Sequence, residues 1–67
     1  MTHRLIQNGT TATGITYYIY EDSDGSVYVE TLCNRHYTLA DNLDEFYRIP
    51  FFKLEDMIYR AEMNVAR

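Results

Sequence analysis

One cysteine, one proline, three glycines and no tryptophan occur in this chain of 67 residues. A single cysteine, Cys33, cannot form an intramolecular disulfide, which excludes a disulfide-stapled secreted scaffold. No apolar run approaches the ~18 residues that a membrane-spanning helix needs. The opening Met1-Thr-His-Arg-Leu-Ile-Gln7 is too short and too polar for a signal peptide. These absences predict a cytoplasmic chain with no membrane partner. Positive charge is also scarce: six Lys or Arg face ten Asp or Glu, a formal net charge of −4. That balance opposes direct binding to nucleic acid phosphates. There is no glycine-rich phosphate loop, dinucleotide fingerprint, internal repeat or low-complexity stretch.

What is present is apolar and aromatic. Hydrophobic residues make up 46% and aromatic residues 15%, with seven tyrosines, which is too rich for a disordered chain. A chain this short buries only roughly 60% of its unfolded surface and builds one core. Residues 1–67 therefore read as a single small domain, β-rich over 3–39 and helical over 41–66. Domains of this size are marginal without a disulfide, a metal or oligomerisation. With the disulfide excluded, a metal or a partner remains.

In the β-rich part, Asn8-Gly9 is the strongest short hairpin signal and predicts a first turn between residues 4–7 and 10–13. Gly14 then reads as a bulge or bend before the strand-like Ile15-Thr-Tyr-Tyr-Ile-Tyr20. The second turn follows from side-chain parity, because residues opposite one another in an antiparallel pair share a face. Ile15, Tyr17 and Ile19 are apolar at odd positions, as are Val27 and Val29, followed by Thr31 and Cys33. A two-residue loop at Asp24-Gly25 would set Ile19 against Glu30. A three-residue loop, Ser23-Asp24-Gly25, sets Ile19 against Val29 and gives Gly25 the left-handed position. In that register Tyr20 faces Tyr28, and Thr16, Tyr18, Tyr20, Tyr28, Glu30 and Leu32 form the second face.

From Asp41 onward the period changes to that of helices. Asn42 with Glu45, and Asp41 with Asp44, have capping spacing and predict a short helix over 43–48. Ile49-Pro50 predicts a kink or break. Phe51, Leu54, Ile58, Ala61 and Val65, with Met57 beside them, then mark the apolar stripe of a C-terminal amphipathic helix. The expected fold is α+β: a three-stranded antiparallel meander with that helix on its aliphatic face. Residues 36–39 are open as a fourth strand.

Several constellations invite chemistry and fail on their spacing. Asp22-x-Asp24-Gly25 resembles a calcium loop, but with Gly25 as its glycine the first and twelfth ligand positions are Tyr20 and Thr31. Cys33-x-x-His36 supplies two of the four ligands a structural zinc needs. The same pair lacks the oriented third group and oxyanion donors of a thiol nucleophile. Cys33 is expected in the core instead. No catalytic residue, metal or cofactor is assigned, and a small metal-dependent enzyme is the least favoured reading.

Two binding readings remain. One is a non-catalytic protein-binding module whose partner meets Tyr18, Tyr20, Tyr28, Glu30 and Tyr37, since tyrosine is enriched at binding hot spots. Association with a second copy is an open sub-case. The other is a nucleic acid mimic that blocks a basic cleft with Glu21, Asp22, Asp24, Asp41, Asp44, Glu45, Glu55, Asp56 and Glu62. In size, acidity and lack of catalytic equipment, the chain resembles the small inhibitor and accessory proteins of phages and mobile elements. That likeness is one of class, carried by no motif.

Overall fold

The computed structural model describes residues 3–34 and 36–63. Four strands, β1 (Arg4–Thr10), β2 (Thr16–Glu21), β3 (Val27–Glu30) and β4 (Tyr37–Ala40), precede two helices, α1 (Leu43–Tyr47) and α2 (Phe51–Met63). The strands form one antiparallel sheet in the order β1-β2-β3-β4, a simple meander. The stretch left open in the sequence is a true fourth strand.

Both first hairpins close in one way. Asp22 N–H donates to Ser26 O at 2.8 Å and Gly25 N–H to Asp22 O at 3.0 Å, around the loop Ser23-Asp24-Gly25. Thr11 N–H donates to Ile15 O and Gly14 N–H to Thr11 O, both at 2.9 Å, around Ala12-Thr13-Gly14. The third loop residue is glycine each time, at φ of 91° and 92°, where a Cβ would be strained. Replacing Gly25 by alanine is therefore expected to destabilise the fold by about 1–2 kcal/mol, read from the urea midpoint.

The first turn thus lies at residues 12–14, not at Asn8-Gly9. A turn at residues 8–9 would pair only residues 4–7 with 10–13, whereas the observed one aligns β1 with the whole of β2. Gly14 is the turn residue rather than a bulge. The bulge falls instead between Leu5 and Gln7. Gly9 sits opposite Tyr17, and an added Cβ would lie 3.0 Å from the Tyr17 hydroxyl. It serves close approach, not positive φ.

The register between β2 and β3 is the one that parity requires, with Ile19 against Val29 and Tyr20 against Tyr28. Tyr17, Ile19, Val27 and Val29 are buried under the helices with Leu39, Ala40, Phe46, Leu54, Ile58 and Ala61. A bulge in β4 lets the neighbours Leu39 and Ala40 both enter this core. Asn42 caps α1, accepting from Glu45 N–H at 2.8 Å, and the Glu45 carboxylate reaches back to Asp41 N–H at 3.2 Å. Removing the cap with Asn42→Ala is expected to cost about 1 kcal/mol, visible as a lowered melting temperature. The chain then breaks at Ile49-Pro50, and Pro50 O accepts the first bond of α2 from Leu54 N–H at 2.9 Å. Leu54, Ile58 and Ala61 point to the sheet as expected. Phe51 does not: it lies in the first turn of the helix and is exposed. Val65 and the helical expectation for 64–66 lie outside the described residues.

Candidate functional site

One face of the sheet is covered by the helices and the other is open. Cross-strand pairing assigns Leu5, Asn8, Thr10, Thr16, Tyr18, Tyr20, Tyr28, Glu30 and Thr38 to the open side. At one end of this face, four rings contributed from all four strands or their leading residues form a row. Tyr20 stacks on Tyr28 at 5.5 Å, and His36 stacks on the other side of Tyr28 at 4.0 Å. His3 approaches Tyr20 edge-on, also at 5.5 Å. The Asp22 carboxylate stands 3.7 Å from His36 Nε2.

This row corrects two sequence assignments. Tyr28 is only 6% exposed, because the rings on both sides cover it and it cannot itself form a contact platform. Burial first, then the nearby Asp22, Tyr20 and Glu30, pushes its phenol up from the ordinary tyrosine value. Tyr37 is on the wrong side: it pairs with Val29 and packs against the core. Tyr18, at 43% exposure, and half-buried Tyr20 and Glu30 remain on the open face as expected. Leu5, at 48%, joins them opposite Tyr20 and was missed, since the misplaced first turn gave it no partner. His3, just before β1, was missed with it, and His36 was weighed only beside Cys33, since no turn in the sequence sets the approach to β4.

Cys33 is exposed rather than core. Strand alternation ends at Glu30, and Thr31 N–H turns back to Asn34 O at 2.7 Å, so parity no longer applies at position 33. The thiol donates to Glu62 Oε2 at 3.4 Å. That bond, first, pushes the Cys33 thiol up, while the Thr31 hydroxyl, ahead of the Cys33 thiol and amide, holds Glu62 below its usual value against the effect of burial. Both shifts describe one protonated thiol beside one ionised carboxylate. Glu62 is depressed, so its contribution to stability is present above its unfolded value and lost as pH falls through the folded one. Cys33 is raised, so its contribution is lost as pH rises through thiol ionisation. At neutral pH, iodoacetamide is expected to alkylate Cys33 more slowly than a free thiol, despite its exposure, and faster in Glu62→Gln.

The proposed acidic residues are mostly engaged. Glu21 pairs with Arg4, Asp44 with Arg48 at 3.2 Å, and Asp56 with Arg60 at 2.8 Å. Asp24 accepts from the Ser26 amide and hydroxyl, which lower its pKa, and Glu55 lies 3.4 Å from Ala12 N–H. Among the described residues no three His, Cys, Asp or Glu side chains gather as a metal site. No described helix is long and apolar enough to cross a membrane.

A second exposed apolar stripe also escaped the sequence reading. Phe52, at 76% exposure, recurs with Tyr59 and Met63 on the side of α2 away from the sheet. Asp56 interrupts the stripe, and Lys53 and Arg60 flank it. The signal was the seven- and four-residue spacing of these three, overshadowed by the stronger core stripe. The sequence matches no family model, no curated protein and no solved structure.

Proposed function

We propose that the chain is a small non-catalytic protein-binding module, an accessory or inhibitor protein that engages a larger protein through the open face of its sheet. The observation that carries this reading is that Tyr18 and Leu5 stand exposed on a sheet face that neither helix covers, beside the rigid ring row of Tyr20, Tyr28 and His36. Tyrosine on a rigid strand offers large contact area at low entropic cost. Glu30 and Asp22 border this surface and set its charge negative.

The helix-side stripe is less suited to a second copy of the chain. An antiparallel pairing through Phe52 and Tyr59 would bring the Lys53 and Arg60 flank against its own copy, and a parallel one would oppose Asp56 to itself. Mimicry of nucleic acid draws less support, because Arg4, Arg48 and Arg60 neutralise three of its nine carboxylates.

The test is capture of the partner by the tagged chain, wild type against Tyr18→Ser, at ~0.05 and ~0.5 M salt, with light-scattering mass for the bound species. Partner capture that persists at high salt and is lost in the serine variant supports the reading. Loss at high salt with no effect of Tyr18→Ser would replace it with mimicry.

A further inference from the structure

A cleft of about 470 Å³ opens beside Tyr18, with walls formed by Ile15, Thr16, Tyr18, Glu30, Leu32 and Glu62 among others. It carries two carboxylates, and none of its described lining residues is basic. The described arginines Arg4, Arg48 and Arg60 are held elsewhere, by Glu21, Asp44 and Asp56. Glu30 has no ion-pair partner among the described residues. The Glu62 carboxylate is held by the Thr31 hydroxyl and the Cys33 thiol, and its Oε1 is shielded from water. Two carboxylates share one cleft with no cation among its described lining residues, so the site is short of a positive charge.

We propose that this cleft receives an arginine side chain presented by the protein partner, with the guanidinium against the Tyr18 ring and donating to Glu30 and Glu62. The proposal rests on the protein-binding reading, since Tyr18 and Glu30 belong to the open sheet face. Several features select arginine within the cationic class. A guanidinium carries five donors in a plane and serves two carboxylates at once, which a compact ammonium does less well. Its flat face stacks on an aromatic ring. Its methylene stem packs along apolar walls such as Ile15 and the exposed Leu32. Turning the Glu62 carboxylate toward the cleft requires release of its bonds from the Thr31 hydroxyl and the Cys33 thiol, which the guanidinium donors replace.

The test is an amide NMR titration of the full chain with Nα-acetyl-arginine methylamide, using the neutral citrulline counterpart as control. The expected result is saturable shifts at Thr16, Thr31, Leu32 and Glu62 with the arginine probe and none with citrulline. Affinity should fall about tenfold in Glu30→Gln and in Glu62→Gln, with the Val29 and Ile58 signals unmoved. Equal binding of citrulline, or wild-type affinity in both glutamine variants, overturns the proposal. Partner capture separates the two levels of argument. If it is lost in Tyr18→Ser but kept in both glutamine variants, the sheet-face reading stands and the arginine site falls. If it survives Tyr18→Ser, the reading itself falls.

Discussion

Replacing Ile58 by alanine is expected to remove most of the stability of the domain. Ile58 is 0% exposed and sits in the middle of α2, where the helix meets the buried face of the sheet. Truncating a buried isoleucine to alanine costs about 2–5 kcal/mol, the spread reflecting how far the neighbours close the cavity. A chain of 67 residues has only about 3–10 kcal/mol in total. The melting temperature should therefore fall by at least about 8 °C, since each kcal/mol is worth roughly 4–8 °C at this size. A cost at the upper end, set against a total at the lower end, leaves no folded population. Phe52→Ala, one turn and a half away but exposed, is the matched control and should shift stability by less than about 0.5 kcal/mol. Urea midpoints followed by circular dichroism decide the matter. A loss under about 1 kcal/mol in Ile58→Ala would mean that α2 does not pack on the sheet through this residue.

That contrast within one helix shows where the sequence was legible. Core stripe, capping residues and proline break are local patterns, each written within four residues, and they located α1 and α2 closely. Parity was equally informative for the second hairpin, because the two valines of β3 favour the three-residue loop over a two-residue one against Ile15, Tyr17 and Ile19. The first hairpin misled because Asn8-Gly9 is a strong local signal that tertiary pairing overrode. The same three-residue loop ending in glycine recurs at residues 12–14 and 23–25, so the rule derived for one turn held for the other. Gly9 shows why the stronger-looking signal lost: its missing Cβ leaves room for the Tyr17 ring across the sheet, a use of glycine invisible without the register.

The candidate site was half legible. Alternation placed Tyr18, Tyr20 and Glu30 on the correct face, but alternation reports direction and not exposure. Tyr28 points the same way as Tyr18 and is nonetheless buried, because His36 arrives from the loop before β4 to cover one side of its ring. Tyr37 was misassigned because its face depends on the β3–β4 register, which no turn in the sequence specifies. The cleft between Tyr18 and Glu62 joins residues 44 positions apart, and no linear pattern announces such a meeting.

Tyr18 and Tyr28 should consequently separate binding from folding. Tyr28→Ser removes a buried ring that stacks on both Tyr20 and His36, and is expected to cost about 3–5 kcal/mol, including about 0.5–1.5 for the ring pairs. Against a total of about 3–10 kcal/mol, that removes a large share of the stability. Failure of this variant to bind would say nothing about the surface. Tyr18→Ser removes a half-exposed ring and should cost less than about 1 kcal/mol of stability. A hot-spot aromatic is worth about 2 kcal/mol or more in binding, so partner affinity should fall at least about 30-fold in this folded variant. Leu5→Ser, on the same face opposite Tyr20, should reproduce the loss in part, whereas Phe52→Ala on the far side of the molecule should leave affinity unchanged. The reverse ranking, with Phe52→Ala abolishing capture and Tyr18→Ser leaving it intact, would move the interface from the sheet to the outer stripe of α2.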